Sequence, residues 1–289
     1  MEQTLKGKHA VVTGGSRGIG KTIAHGLLEH GARVLLLSRN SEELDKAKAD
    51  LFDDSYAIET FAGDVSDPET AHELGEFIDS RWNGKLDILV NAAGIYGPIG
   101  ALASLTDAEM LLWEKAISIN LLGSVYMCRL AAQKMKKSGG GVIVNFSGGG
   151  EGAHPNFSAY VASKGAVVRF TETFAAEVSS AGISVNAIAP GAVNTEFLRQ
   201  VLAAGPEKAG KKFYEESLEQ QKSGGTPPEL TADFVALLCS EAGQKLTGNF
   251  FSVKWDSQKV LTDHAGEIND SDIYKVRRIK PEHRGKDWK

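Results

Sequence analysis

The stretch Thr13-Gly14-Gly15-Ser16-Arg17-Gly18-Ile19-Gly20 decides the fold of this chain, because it joins the first apolar run, His9–Thr13, to a segment with helical spacing at 18–30. Glycine in such a turn lets a phosphate approach the backbone closely, where a Cβ would intrude. The N-terminus of the helix that follows offers free N–H groups and a partial positive charge. Between a strand and a helix, this pattern is typical of a dinucleotide-binding turn.

Short apolar runs alternate with helical segments along the rest of the chain. The runs are almost continuously apolar, as expected of parallel strands covered on both faces. The alternation predicts a single α/β domain with a parallel sheet of about seven strands and helices on both faces. The predicted strands are His9–Thr13, Arg33–Leu37, Tyr56–Ala62, Leu86–Asn91, Gly141–Ser147, Ile183–Ile188 and Asn249–Val253, and the predicted helices are 18–30, 41–52, 67–82, 107–137, 159–181 and 228–241.

Two helix starts carry capping signals. Thr106 is followed three residues later by Glu109, which predicts a capping box. Ser66 is followed by Glu69, with Pro68 in the first turn, which predicts a second cap at Ser66.

Composition excludes several classes of function. The 289 residues carry a net charge of -5, whereas phosphate binding by a nucleic-acid protein requires a basic face. No apolar run approaches the roughly 18 residues of a membrane span, and the start lacks the apolar core of a signal peptide. Cys128 and Cys239 lie in apolar helical pattern, which favours buried free thiols. We therefore expect a cytoplasmic protein, and the seven histidines show no metal-ligand spacing, so we expect no catalytic metal.

The second predicted strand ends in Ser38-Arg39-Asn40, where NAD-selective sites usually hold an acid for the ribose 2′-hydroxyl. An acid there would repel the 2′-phosphate of NADP, whereas Arg39, together with Arg17 from the glycine turn, would attract it. A lone arginine is usually a solvated loop cation, but two are expected to converge here. The sequence therefore predicts a preference for NADP, with NAD as the alternative.

Tyr160-Val161-Ala162-Ser163-Lys164 places a phenol and an ammonium four residues apart, on one face of a predicted helix. A nearby cation favours phenolate and would make the tyrosine a usable acid or base. The spacing alone is common between two surface residues, so its meaning depends on the other motifs.

Taken together, the motifs resemble the short-chain dehydrogenase/reductase family over about residues 5–253. Six features occur in the family's order: the glycine turn, Asn91-Ala92-Ala93-Gly94, Asn120, Ser147 thirteen residues before Tyr160, Tyr160 with Lys164, and Pro190-Gly191-Ala192-Val193-Asn194-Thr195. The resemblance implies a Rossmann-type doubly wound fold and hydride transfer between a nicotinamide dinucleotide and a ketone or secondary alcohol.

The resemblance also implies catalytic roles. Tyr160 would be the general acid or base, and Lys164 would lower the pKa of Tyr160 and bond the nicotinamide ribose. Ser147 would hold the substrate oxygen, and Asn120 would position a water that relays protons to Lys164. Preorganised donors at the oxygen that gains negative charge would lower the barrier.

On the cofactor side, the resemblance implies that Asp64 faces the adenine, Asn91 lies near the adenosine ribose and Thr195 meets the carboxamide. The cofactor-binding residues that it implies are Gly14, Ser16, Arg17, Gly18, Ile19, Gly20, Ser38, Arg39, Asp64, Val65, Asn91, Ala92, Gly94, Tyr160, Lys164, Pro190, Gly191, Val193 and Thr195.

The segment between Ser147 and Tyr160 should border the substrate pocket. It contains Glu151 and His154, so we predict Ser147, Glu151, His154 and Tyr160 as substrate-binding residues and a polar or sugar-like substrate. The alternative for Glu151 and His154 is that both point into solvent.

Two other functions stay open. A 3-oxoacyl-thioester reductase would need an apolar lid, which Phe197, Leu198, Val201, Leu202 and Phe213 could supply. A cofactor-binding regulator that has lost catalysis is disfavoured by the intact set of Asn120, Ser147, Tyr160 and Lys164.

The predicted domain, 1–255, contains a polar insertion at 194–225 that resembles the family's mobile lid. A charged extension follows at 256–289, where Trp255-Asp256-Ser257-Gln258 replaces the family's usual Asp-Gly-Gly. We expect this tail to drape over the surface, and one hypothesis is that it covers a neighbouring subunit's site. The resemblance implies a homodimer or homotetramer.

Overall fold

The computed structural model describes residues 4–148 and 152–287, which form the seven predicted strands and eleven helices where the sequence predicted six. The strands are β1 His9–Thr13, β2 Arg33–Ser38, β3 Ala57–Ala62, β4 Ile88–Asn91, β5 Gly141–Phe146, β6 Ile183–Ala189 and β7 Phe250–Ser252. The helices are α1 Gly18–Glu29, α2 Ser41–Asp50, α3 Pro68–Trp82, α4 Asp107–Ile117, α5 Gly123–Ser138, α6 Ser158–Val178, α7 Glu196–Ala209, α8 Lys211–Ser223, α9 Pro228–Cys239, α10 Gln258–Asp263 and α11 Ala265–Asn269.

All seven strands form one parallel sheet in the order β3-β2-β1-β4-β5-β6-β7. The chain runs outward from β1 to β3 and then returns to β4 on the other side of β1. The direction of the winding therefore reverses between β1 and β4, and ligands bind in such sheets outside the carboxyl ends of the strands at that point. The predicted doubly wound parallel sheet is confirmed.

The sheet separates two hydrophobic layers. Ala10 and Val12 of β1 face the layer that contains α1, α2 and α9, whereas Val11 faces the layer that contains α3, α5 and α6. Because both faces of the central strands are buried, their sequences are continuously apolar instead of alternating.

The predicted helix 107–137 is interrupted. A π-helical turn at Ser118–Leu122 separates α4 from α5, and Asn120 at its centre is fully buried. Such turns are rare in proteins, and those that occur are often at functional sites. The capping box of Thr106 and Glu109 is present at the start of α4.

The predicted cap at Ser66 is wrong by one residue. Asp67 is the N-cap of α3, and its carboxylate accepts a hydrogen bond from the backbone N–H of Glu69 at 2.9 Å. Ser66 instead donates to the carboxylate of Asp64 at 2.7 Å, which holds the loop after β3.

The C-terminal extension is packed more closely than the predicted surface tail. Leu261, Ala265 and Ile268 of α10 and α11 are buried within the first hydrophobic layer. Farther along, the guanidinium of Arg277 donates to both carboxylate oxygens of Glu172 on α6, at 3.0 and 2.7 Å. At least residues 261–277 of the extension are therefore integral to the fold.

Two further expectations concern membranes and cysteines. Within residues 4–148 and 152–287, the model contains no helix that is both long and apolar enough to cross a membrane. Cys128 and Cys239 are buried free thiols, and burial raises the pKa of each to about 12.

Candidate active site

The glycine turn lies at the carboxyl end of β1, and its glycines serve different purposes. A Cβ on Gly20 would lie 2.4 Å from the carbonyl oxygen of Gly14, so Gly20 permits close packing within the turn. Gly18 has a φ of 53°, in the left-handed region that favours glycine, and a Cβ on it would make ordinary contact with the Thr195 side chain at 3.7 Å. Gly18 is therefore required by the backbone conformation, and Gly20 by the close packing of the turn.

The turn fits a dinucleotide phosphate. Arg17 occupies the N-cap position of α1 but makes no side-chain capping hydrogen bond. The first N–H groups of the helix therefore open toward the cleft without a side-chain partner, which suits an anion.

A large cleft extends from this turn across the carboxyl ends of the strands. Its volume is about 1500 Å³, above the usual range for a single small ligand, so it has room for both a dinucleotide and a substrate. The predicted site residues that line it are Gly14, Ser16, Arg17, Gly18, Ile19, Gly20, Ser38, Arg39, Asp64, Val65, Ala92, Gly94, Ser147, His154, Tyr160, Lys164, Pro190, Gly191, Val193 and Thr195.

Two predicted site residues, Asn91 and Asn120, do not line the cleft. The amide of Asn91 donates to Asn145 Oδ1 at 2.9 Å in the buried layer between β4 and β5, so its side chain does not reach the cleft. Asn120 lies beneath the cleft. Glu151 lies outside the described residues. The buried Asn91 amide thus has its partner in Asn145. That Asn91 lies near the adenosine ribose stays a prediction.

At the end of β2, Arg39 is exposed at the rim of the cleft, and Arg17 lies across from it on the glycine turn. The end of β2 itself carries no acid, but an acid reaches this rim from the next helix. Glu43, in the first turn of α2, places one carboxylate oxygen 3.6 Å from the guanidinium of Arg17, and the other accepts from the Ser16 hydroxyl at 3.2 Å.

Asp64 lines the cleft after β3 and is held from two sides. Its carboxylate accepts hydrogen bonds from the N–H and hydroxyl of Ser66 and forms an ion pair of 3.1 Å with Lys115. Burial alone would raise the pKa of Asp64, but these partners outweigh it and lower the pKa. The carboxylate is therefore fixed in position and ionised.

Tyr160 and Lys164 lie one turn apart on α6, as predicted. The ammonium of Lys164 donates to the carbonyl oxygen of Phe146 at 2.8 Å, just before Ser147 at the end of β5. Gly148 follows, and a Cβ there would lie 2.2 Å from the Tyr160 hydroxyl. The end of β5 and the first turns of α6 thus bring Ser147, Tyr160 and Lys164 together.

Burial governs the charges of this pair. It raises the pKa of Tyr160 above its ordinary value, and repulsion from Tyr96 adds to the shift. It also lowers the pKa of Lys164 to about 8. Desolvation thus disfavours the charged forms of both groups, and the lowering of the Tyr160 pKa by Lys164 stays a prediction.

Asn120 reaches the backbone beneath the site. Its amide donates to the carbonyl of Ile95 and to the hydroxyl of Ser163, and its oxygen accepts from the N–H of Ile95, all at 2.9 Å. A Cβ on Gly94 would lie 3.2 Å from Asn120 Oδ1 and 3.4 Å from Lys164 Nζ. Gly94 therefore leaves space between Asn120 and Lys164.

The predicted lid is a pair of helices, α7 and α8. An antiparallel bridge between Val193 and Gly225 closes its base, and α7 is kinked at Gly205. The Phe197 ring at the start of α7 packs edge-on against Tyr96, with centroids 4.5 Å apart.

His154 lines the cleft beside the lid. The centroid of its ring lies 4.4 Å from that of Phe213 on α8. Burial lowers the pKa of His154, so its imidazole is neutral near pH 7. It is therefore half-buried against aromatic rings and does not simply point into solvent.

Two residues of the site escaped the sequence predictions, Glu43 and Tyr96. The Tyr96 ring lies 4.7 Å from Tyr160 and forms a wall of the cleft. Its signal in the sequence was its place directly beyond the strand β4 and the Asn91–Gly94 turn, at the binding edge of the sheet.

The site can exchange a proton at the Tyr160 hydroxyl and hold an oxygen at Ser147, beside a cleft built for a dinucleotide. Among residues 4–148 and 152–287, no group of three or more His, Cys, Asp or Glu side chains is placed to hold a metal ion. Fold and site together define an oxidoreductase that uses a nicotinamide dinucleotide on an alcohol or carbonyl group.

The family follows from comparison with known proteins. The family model "short chain dehydrogenase" matches residues 8–205, and the chain belongs to this family. The mouse protein "Dehydrogenase/reductase SDR family member 4" is 33% identical over 245 residues, which cover 84% of this chain and 85% of the mouse protein.

Two further similarities agree. The D-threitol dehydrogenase of Mycolicibacterium smegmatis is 36% identical over 193 residues, which cover 66% of this chain and 72% of that protein. The structure of a short-chain type dehydrogenase/reductase from Mycobacterium ulcerans superposes with a TM-score of 0.76 at 26% identity, covering 86% of this chain and 89% of that one.

Proposed function

We propose that the chain is an NADP-dependent oxidoreductase that interconverts a ketone and a secondary alcohol through Tyr160. The observation that carries the proposal is the position of the Tyr160 hydroxyl, which lies against Gly148 at the end of β5, with Lys164 one turn farther along the same helix. A bound nicotinamide supplies or accepts the hydride. In the reductive direction Tyr160 donates its proton to the oxygen that gains charge, and Ser147 orients that oxygen.

Tyr160 is protonated when the substrate arrives, because burial raises the pKa of its phenol. Lys164 would bind the nicotinamide ribose and supply positive charge beside the phenol when the alcohol is oxidised. Asn120 fixes the loop at Ile95, and the space at Gly94 is suited to the water that would relay protons to Lys164.

NADP is preferred in this proposal because two arginines, Arg17 and Arg39, flank the ribose position at the ends of β1 and β2. The negative charge of Glu43 would repel the 2′-phosphate of NADP, so we propose a preference for NADP that still permits NAD.

For the substrate, we propose a polar or sugar-like molecule that places its apolar face on Tyr96 and a hydroxyl near His154. Neutral imidazole can donate or accept a hydrogen bond, and the half-buried position of His154 on the cleft supports this contact. The similarity to a D-threitol dehydrogenase, named for a polyol, supports the same substrate class.

A second candidate is reduction of a 3-oxoacyl thioester. It is favoured by the apolar residues that the lid and its surroundings turn toward the cleft, which are Phe197, Leu198, Val201 and Phe213.

The first experiment mixes the protein with NADPH and an acetoacetyl thioester and follows cofactor absorbance, with NADH and Tyr160→Phe as controls. Rapid turnover that depends on Tyr160 would move the acyl substrate to first place. No turnover, with NADPH binding measured separately, would direct the search to sugars and polyols in both directions. Turnover that persists at full rate in Tyr160→Phe would contradict the proposed mechanism.

We also propose a cytoplasmic homodimer or homotetramer. Leu111 and Leu112 of α4 are 67% and 54% exposed, and Leu122 extends this apolar surface past the π-helical turn, which supports self-association. Sedimentation of the purified protein tests this, and a monomer at all concentrations would contradict it.

A further inference from the structure

The carboxylate of Glu43 bridges two elements at the rim of the cleft. One oxygen accepts from the hydroxyl of Ser16 at 3.2 Å, and the other lies 3.6 Å from the guanidinium of Arg17. Glu43 belongs to α2, whereas Ser16 and Arg17 belong to the glycine turn. A carboxylate therefore occupies donors that a phosphate of the cofactor would use.

The backbone of Glu43 is fixed. Asn40 caps α2, and its side-chain oxygen accepts from the N–H of Glu43 at 3.2 Å. This places Glu43 in the first turn of α2, four residues after Arg39. Arg39 itself follows the end of β2, where an acid meets the ribose in NAD-selective sites. The Glu43 side chain is 41% exposed, so solvent can reach the bridge and a ligand can displace it.

We propose that Glu43 is a cofactor-specificity residue that weakens selection for NADP. Its negative charge neutralises Arg17 and repels a 2′-phosphate, whereas its oxygens can accept a hydrogen bond from a 2′-hydroxyl. Arg39 is exposed at the same rim, and its positive charge attracts the 2′-phosphate and so opposes the effect of Glu43. The inference rests on the proposed function for the position of the ribose, between the glycine turn and the end of β2.

The test measures binding without any substrate. NADPH and NADH are titrated against intrinsic protein fluorescence, for the wild type and for Glu43→Gln. Because the charge pair is solvent-exposed but a phosphate carries nearly two charges, we expect the ratio of the NADH Kd to the NADPH Kd to rise about 5- to 20-fold. The change should lie mainly in the Kd for NADPH and should shrink at high salt.

The matched control is Asp45→Asn, which removes the same charge from an exposed position on the same helix, away from the cleft. The same titrations are repeated with 2′,5′-ADP and 5′-AMP, which carry only the adenosine end of the cofactor, with and without the 2′-phosphate. Should Glu43→Gln melt early, Glu43→Ala provides a second variant with the charge removed.

Two failures can be told apart. A wild type that binds NADH more tightly than NADPH contradicts the proposed NADP preference, yet Glu43→Gln should still shift the ratio toward NADPH. A ratio in Glu43→Gln no larger than that in Asp45→Asn overturns the role of Glu43, whichever cofactor the wild type prefers.

Discussion

Gly148 faces the hydroxyl of Tyr160 so closely that a methyl group built on Gly148 would lie 2.2 Å from the phenol oxygen. A non-bonded carbon and oxygen do not approach to this distance, so the phenol keeps its place because residue 148 has no side chain. The position of the Tyr160 hydroxyl is thus set by the segment that follows β5 and not by α6 alone.

The first prediction is that Gly148→Ala displaces the Tyr160 hydroxyl and lowers kcat about 100-fold or more, because a misplaced acid cannot reach the substrate oxygen. The Kd for cofactor should change little. Gly152→Ala is the control, since a Cβ on Gly152, four residues farther along, meets no atom of the described residues within 4 Å. Equal kcat values for the two variants would show that the contact does not position Tyr160.

The second prediction concerns the buried charge of Lys164, whose pKa is lowered from 10.5 to about 8. Below pH 8 the folded protein holds a buried ammonium, and the full free-energy cost of burying this charge destabilises the fold. The cost disappears as the pH rises from about 8 to 10.5, since the unfolded chain binds the extra proton over that window. The wild type therefore gains stability from this group as the pH rises.

Lys164→Met removes the charge at all pH values. At pH 7 the gain from removing the buried charge is partly offset by loss of the hydrogen bond to Phe146. We therefore expect the variant, without cofactor, to be more stable than the wild type by about 1–2 kcal/mol. This difference should disappear by pH 10.5. Urea unfolding at both pH values measures this. Lys212→Met, whose lysine side chain is 92% exposed, should show no such pH dependence. A constant difference between Lys164→Met and the wild type across this range would contradict the assignment.

The third prediction is that Asn120 stabilises the loop after β4. Asn120→Ala leaves both the N–H and the carbonyl of Ile95 without their partner, which should lower the free energy of unfolding by about 2 kcal/mol. Ser118→Ala, in the same π-helical turn, loses only an exposed bond to Glu114 and should change stability by less than about 0.5 kcal/mol. If both variants melt alike, the Asn120 contacts contribute nothing to stability.

Local patterns explain what the sequence could predict. β1 was predicted to the residue, because the apolar run and the glycine turn that ends it are adjacent in the chain. The break between α4 and α5 was not predicted, since the apolar spacing continues through it and the contact that Asn120 makes there, with Ile95, spans 25 residues. Glu43 was missed for the same reason, because its contact with Ser16 spans 27 residues.

Catalytic residues were easier to predict than the walls of the pocket. Tyr160 and Lys164 share one helical turn, so their spacing alone places them together. Tyr96 and Phe197 come from a loop and a lid that are a hundred residues apart, and no local pattern links them. Their meeting depends on how the lid packs over the sheet.

The last prediction is that the C-terminal extension stabilises the domain. Leu261 is fully buried in the layer that contains α1 and α9, so Leu261→Ala should cost about 2–4 kcal/mol through lost packing and the cavity left behind. Its neighbour Val260 is 49% exposed, and Val260→Ala should cost less than about 1 kcal/mol. Urea unfolding of both variants measures the difference. Similar small losses in the two would mean that the extension does not pack in solution, whereas a large loss in Leu261→Ala alone would establish α10 as part of the core.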